Sequence, residues 1–310
     1  MNTSNRDTGS RPGVICFGEA MAELADLESE RVRIGVGGDT FNTAVYLSRL
    51  GTPVRFATAL GQDPFSARIR ARMSAEALSQ DLVLTSADSN CGLYAIEVDE
   101  AGERSFTYWR EHSAAREFFS LPRITDLEDE IRRAAVFYLS GITLSLFSAP
   151  ERQRIAALAS MVRANGGQVV FDTNYRPAGW ASAGEARDAI TALMPHVSIA
   201  LPTFEDDTAL FGFGEVEACA NFWQAAGAEE VVVKCGPRGA WSGQAAAWIA
   251  PPEIISPIDT TGAGDSFNAG YLNARLSGFE MNESIAQAHR LAAAVLGVRG
   301  ALLPMDALLS

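Results

Sequence analysis

Asp259-Thr260-Thr261-Gly262-Ala263-Gly264-Asp265-Ser266-Phe267-Asn268-Ala269-Gly270-Tyr271 is the stretch on which the reading of this chain turns. It opens as a turn and runs on into an amphipathic helix, since Phe267, Gly270, Tyr271 and Ala274 recur at helical spacing. Gly262 and Gly264 let the backbone bend sharply and approach a ligand with no Cβ in the way. The amides of Gly262, Ala263 and Gly264 then face outward with the positive end of the helix dipole behind them, which makes an anion site. A carboxylate at its mouth should repel a phosphate. Asp265 makes sense there if it accepts a proton from an attacking hydroxyl while the amides hold the transferring phosphoryl oxygens. The helix terminus is expected to hold the Asp265 pKa down and keep the group ionised. The plainer alternative is a Gly-rich turn whose Asp merely caps the helix.

Outward from this box the chain alternates strands with helices. Val14 to Gly18 is a short apolar run of the kind that forms a buried parallel strand, and Val54 to Leu60 is another. Strands are also expected at 82–84, 135–140, 168–172, 197–201 and 230–235. Helices are expected from Phe41 up to Gly51 and at 67–78, 150–164, 186–194, 206–211, 216–226 and 284–296. This pattern predicts an α/β fold, with a mostly parallel central sheet covered by helices on both faces and ligands gathered at the carboxyl ends of the strands. Two regions differ. Gly92 to Val98, a turn at Asp99 to Gly102, and Arg104 to Arg110 read as a hairpin with one wet face, and with Arg31 to Val36 they predict a small sheet off the main body. A second hairpin region, Gly239 to Ala250, precedes the anion box.

A chain of 310 residues with 47% apolar content can bury one large core or two modest ones. Its net charge of −13, with no basic patch, excludes nucleic acid as the expected partner. Cys16, Cys91, Cys219 and Cys235 have no paired spacing, which suits a reducing cytoplasm. Residues 1–13 are polar with no apolar core and read as a flexible tail, not a signal peptide, and no apolar run reaches membrane-spanning length. No His/Cys cluster points to zinc or iron. No G-x-G-x-x-G follows Val14 to Phe17, which weakens a dinucleotide oxidoreductase reading.

Other constellations point to a polyol and an acid. In Gly37-Gly38-Asp39-Thr40-Phe41-Asn42 the glycines allow close backbone approach, and Asp39 and Asn42 offer polar groups one helical turn apart, although a capped helix start would look alike. Tyr94, Tyr108 and Arg110 lie on the hairpin, and Tyr108 and Arg110, two apart, share a face. Arg beside phenols suits a substrate carrying a carboxylate and hydroxyls. Lys234-Cys235-Gly236-Pro237-Arg238-Gly239 ends a strand in a Gly-rich turn.

The string D-T-T-G-A-G-D-S-F-N-A-G-Y resembles the C-terminal signature of the ribokinase-like (PfkB) carbohydrate kinases, and G-G-D-T-x-N-x-A-x-x-L-x-x-L-G resembles their first signature. The lid run C-G-L-Y-A-I-E-V-D-E-A-G-E-R-S-F-T-Y-W-R and F-D-T-N-Y-R-P-A-G-W resemble the 2-keto-3-deoxygluconate kinase subfamily. Together these cover nearly the whole chain, from Val14 to Pro304. The resemblance implies a ribokinase-like three-layer α/β/α domain over 14–310, with a small β-sheet lid from about 20–36 and 91–112. It implies ATP-dependent phosphorylation of a keto sugar acid, with Asp265 as base. Gly262, Ala263, Gly264 and Arg176 would assist the transfer. Gly37, Gly38, Asp39, Asn42, Tyr94, Tyr108, Trp109, Arg110 and Arg176 would hold the substrate. Asn174, Lys234, Gly236, Arg238, Gly239, Gly262, Gly264 and His289 would line the nucleotide site. Magnesium is expected with ATP, a monovalent cation is a further candidate, and a homodimer or higher homo-oligomer is expected through the lid.

Two positions depart from the family pattern. His289 stands where such kinases commonly carry Asn, and Thr203-Phe204-Glu205-Asp206 stands for the family's N-x-x-E, so Asp206 is the candidate to meet magnesium through water. The rival readings are a fructokinase or other sugar kinase of the family, and a non-catalytic sensor of sugar acid and nucleotide.

Overall fold

The protein's computed structural model describes residues 13–27, 31–98, 104–305 and 307. The expected tail (apart from Gly13) and the expected turn at Asp99 to Gly102 lie outside these residues. Thirteen strands are found among them: β1 (Val14–Phe17), β2 (Met21–Ala25), β3 (Arg33–Gly37), β4 (Val54–Leu60), β5 (Val83–Thr85), β6 (Gly92–Val98), β7 (Arg104–Trp109), β8 (Val136–Ser140), β9 (Gln168–Asp172), β10 (Ile199–Ala200), β11 (Glu230–Lys234), β12 (Ala240–Ser242) and β13 (Ala247–Ile249). The helices are α1 (Asp39–Arg49), α2 (Pro64–Ala75), α3 (Ile124–Arg132), α4 (Gly141–Ser145), α5 (Ala149–Ala164), α6 (Ala183–Leu193), α7 (Phe204–Phe211), α8 (Val216–Ala225), α9 (Ala263–Leu276) and α10 (Met281–Leu296).

Nine strands form one sheet in the order β13-β12-β11-β10-β9-β8-β1-β4-β5, parallel except for the antiparallel β12 and β13. Alternate side chains of its strands feed two separate cores. Ile15, Phe17, Phe137, Val169, Phe171, Val231 and Val233 pack with residues of α3, α5, α6 and α8. Val14, Cys16, Val136, Val170 and Val232 pack with residues of α1, α2, α9 and α10. This is the three-layer arrangement, and the apolar runs that predicted it are unbroken because both faces of each strand are dry. The hairpin, β2 and β3 form the separate four-stranded sheet β3-β2-β6-β7.

Several elements differ from the sequence expectation. Helix α2 starts three residues early because Asp63 Oδ1 accepts from the Phe65 and Ser66 amides, with Pro64 in the first turn. Helix α10 starts at Met281, a turn before the expected Ser284. Helices α3 and α4 and the 3-10 turns at Ala114–Ser120 were not anticipated. Arg123, which precedes α3, sits at φ 69° and supplies no side-chain cap, so the usual start signal is missing.

Candidate active site

The anion box behaves as a helix start. Gly262 is the N-cap of α9 at φ 77°, and a Cβ there would lie 2.7 Å from the Ala301 carbonyl oxygen, so glycine is required. Asp259 fixes the turn, with Oδ1 accepting from the Thr261 amide at 3.0 Å and Oδ2 accepting from the Gly300 amide. One expected anion contact is partly engaged, since the Ala263 amide donates to the Thr260 carbonyl at 3.3 Å. The N-cap of α1 is Gly38 at φ 143°, pressed against the Glu19 carbonyl, so this second helix also starts where no other residue fits.

The two helix N-termini meet. Asn42 Nδ2 donates to Asp265 Oδ2 at 2.8 Å, and Thr43 Oγ1 donates to the Asp265 carbonyl at 3.2 Å. Beside them the carboxyl ends of the central strands bring up more polar groups. Asp172, at the end of β9, accepts from Lys234 Nζ at 2.7 Å and from Asn268 Nδ2 at 2.6 Å. Lys234, at the end of β11, also donates to Asn268 Oδ1 at 3.1 Å. Asn268 Nδ2 and Thr43 Oγ1 lie 2.9 and 3.3 Å from the Tyr138 hydroxyl. Asn174 Nδ2 donates to Asp39 Oδ2 at 3.0 Å. Asp39, Asp172 and Asp265 are therefore bridged by amides, hydroxyls and one ammonium.

The electrostatics run against the sequence expectation for Asp265. Burial and then the nearby Asp39 carboxylate push its pKa up to about 8, with Asp172 adding to the rise. The Asn42 amide and Lys234 oppose it without winning. The expected depression by the helix terminus is overturned, because in a dry site the clustered like charges dominate. Asp39 is likewise raised by burial, against hydrogen bonds from Ser140 and the Thr40 amide. A carboxyl group poised near working pH suits proton abstraction better than one held far below it.

Other candidates are found in contrasting places. Arg176 Nη1 donates to both Asp206 oxygens at 3.0 Å, so the expected anion contact and the expected metal contact are paired with each other. Lys234 is turned inward to Asp172. Arg238 lies between the rings of Phe204 and Trp248, at 5.6 and 5.3 Å from their centroids. Gly236 and Gly239, on either side of it, take positive φ. His289 Nε2 sits 3.1 Å from the Ile249 carbonyl, edge-on to Phe267, so its polar tip is already used within the fold.

On the small sheet, Tyr94 and Tyr108 pack at 5.9 Å, and the Arg110 guanidinium lies 5.9 Å from the Tyr108 ring centroid. The Tyr94 hydroxyl donates to Glu23 Oε2 at 2.6 Å and closes against Gly37. Arg110 Nη2 is 2.6 Å from Glu19 Oε2. Trp109 is not brought to this group: it follows Tyr108 in the strand, is 56% exposed, and faces the other side. The sequence reading passed over Glu19, Glu23, Thr43, Tyr138, Asp172 and Asn268. Asp172 had a usable signal, a charge ending an apolar strand.

The arrangement offers a base, helix-terminus amides and nearby cations, which are the parts of a phosphoryl-transfer site. Comparison with known proteins bears on which reaction. Residues 11–308 match the pfkB family carbohydrate kinases. The chain is 38% identical to the 2-dehydro-3-deoxygluconokinase of Dickeya dadantii over 95% of its length and 98% of the relative's. For the enzyme of that name from Escherichia coli the identity is 37%, with the same coverage. The fructokinase of Vibrio alginolyticus is 26% identical over 82% of this chain and 81% of its own. Among solved structures, the 2-dehydro-3-deoxygluconokinase of Thermotoga maritima superposes with a TM-score of 0.83 at 20% identity, covering 94% of this chain and 95% of that one. A putative ribokinase II from Escherichia coli, solved with ATP and magnesium, superposes with a TM-score of 0.80 at 21% identity, covering 93% and 94%. The fold is thus ribokinase-like.

Proposed function

We propose that this chain, which belongs to the pfkB family of carbohydrate kinases, transfers the terminal phosphoryl group of ATP to the primary hydroxyl of 2-keto-3-deoxygluconate, making the 6-phosphate. The observation that carries this reading is the near-full-length likeness to 2-dehydro-3-deoxygluconokinases, well above that to fructokinase. The lid chemistry agrees with it, since Arg110 beside Tyr108 offers a cationic fork to an acid that fructose lacks.

In this reading Asp265 takes the hydroxyl proton as the substrate oxygen attacks the terminal phosphorus. The bond from that phosphorus to the leaving ADP oxygen breaks, and the proton stays on Asp265. The amides of Gly262, Ala263 and Gly264 meet the transferring oxygens, with Arg176 released from Asp206 to assist. Gly37, Gly38, Asp39 and Asn42 hold substrate hydroxyls, while Tyr94, Tyr108 and Arg110 orient the acid end. Asn174, Gly236, Arg238, Gly239 and His289 border the nucleotide. Lys234 acts behind them, on Asp172 and Asp265.

Among the described residues no three His, Cys, Asp or Glu side chains gather to cage an ion. Magnesium would be carried mainly by phosphates and water, with Asp206 reaching it through water. Magnesium would supply charge neutralisation on the phosphates. Residues 14–310 act as one kinase domain with the small sheet as its lid. The exposed Phe106, Tyr108 and Trp109 favour a homodimer through that sheet. A cytoplasmic setting fits four cysteines that are all free, and among the described residues no helix is long and apolar enough to cross a membrane.

An ATP-coupled assay on 2-keto-3-deoxygluconate, its galactonate-derived epimer, fructose and ribose tests the reading. The keto acids should be turned over with the highest kcat/KM. Preference for fructose or ribose would replace the substrate, and no turnover of any would support a sensor.

A further inference from the structure

We infer that Glu19 is a positioning residue that aims Arg110 at the acid end of the substrate and so sets the preference for sugar acids. This rests on the function proposed above. Glu19 is 3% exposed, and a buried carboxylate needs a charged or hydrogen-bonding partner. Its partner is Arg110, with Nη2 2.6 Å from Oε2, on side chains only 2% and 16% exposed.

The residue is tightly confined, and its carboxylate is in polar contact with Arg110. Glu19 lies in the link between β1 and β2, where the main body hands over to the small sheet. Its carbonyl abuts Gly38, and a Cβ on Gly92 would fall 2.6 Å from its Oε1. A side chain on Gly92 would push the carboxylate off its line, and one on Gly38 would displace the main chain that carries it. Arg110 is pinned at its other end. Arg116 Nε donates to the Arg110 carbonyl at 2.9 Å, and Arg116 Nη1 donates to the Leu146 carbonyl at 2.9 Å in the main body.

The Arg110 main chain is thus fastened to the body and its guanidinium to Glu19. An arginine carries five N–H donors, so one ion pair leaves others for a ligand. The guanidinium lies 5.9 Å from the Tyr108 ring centroid, and its charge favours the ionised forms of both Asp39 and Tyr108. A long side chain held in this way avoids the rotamer entropy it would otherwise lose on binding.

The test is steady-state kinetics with 2-keto-3-deoxygluconate and ATP on the full chain, its Glu19→Gln and Arg110→Lys variants, and the double variant. Glu19→Gln should raise KM for the keto acid roughly tenfold or more, with kcat within about twofold and KM for ATP unchanged. In the Arg110→Lys background the same change should add less than about twofold, because the residue it aims is gone. Equal losses in kcat and in both KM values, an unchanged KM for the keto acid, or the same factor in both backgrounds would overturn the inference. If Glu19→Gln does not fold, Glu19→Asp is read by the same criteria. Failure of the unaltered enzyme to turn over the keto acid overturns the substrate reading and this inference together. Turnover with an indifferent Glu19→Gln overturns this inference alone.

Discussion

The two sheets of this molecule bury themselves differently. In the nine-stranded sheet, Val231, Val232 and Val233 are each fully dry although they face opposite layers, and Asp172 and Lys234 stand at the strands' carboxyl ends. The four-stranded sheet leaves Phe106, Tyr108 and Trp109 between 39 and 56% exposed, and keeps charged Glu23 buried in β2, with buried Glu19 in the link just before it. The thick sheet is a platform on which groups can be held rigidly. The thin one has few apolar contacts to hold it and works through ion pairs and ring contacts. Under the proposed function, the difference implies a division of labour: groups on the platform would govern the rate of transfer, and groups on the thin sheet what is admitted.

The strongest way to break that division is Asp265→Asn. It should lower kcat by about 10³-fold or more while KM for the keto acid stays within about threefold, read by steady-state kinetics. A residual rate near wild type would remove the base. Next is Lys234→Met, which strands the buried Asp172 carboxylate. Breaking such a pair should cost about 3–5 kcal/mol of folding stability, read as a lower midpoint in urea unfolding. No shift would mean that the platform does not depend on this pair. A smaller effect is expected on the thin sheet, where Arg110→Lys should raise KM for the keto acid about 10–100-fold with little change in kcat. A fall in kcat instead would blur the two roles.

The finest test is of pH. As the proposed base, Asp265 would act deprotonated, and its pKa is raised, so kcat/KM should climb as pH rises toward about 8. Asp39→Asn removes a repelling charge and should move that climb to lower pH. Stability has the opposite slope. A carboxyl group raised in the fold contributes stability that is complete below its unfolded pKa of 3.8 and is lost as pH rises through about 8. The thermal midpoint of Asp265→Asn should therefore gain on wild type between pH 6 and pH 9, by about a few degrees at most.

How much of this was legible follows from the range of each signal. The glycine boxes at Gly37 and Gly262 were readable because turn chemistry is local, and the platform strands because burial on both faces leaves an unbroken apolar run. Helix α3 was missed although Leu127 and Ile131 keep helical spacing, since Arg123 gives no cap. The network through Tyr138, Asp172, Lys234 and Asn268 joins two strand ends, a strand interior and a helix, and no local pattern announces that meeting. The sign of the Asp265 shift was misjudged for the same reason. The helix end is visible in the chain, whereas the two other carboxylates arrive only through the fold.

Lys234 is the chain's sole lysine, and it is 7% exposed. Amine-directed reagents therefore find no exposed lysine side chain. Mild acylation should spare the ammonium at Asp172. Label appearing at Lys234 would then report that the strand ends have come apart, a chemical gauge of opening that requires no engineered probe.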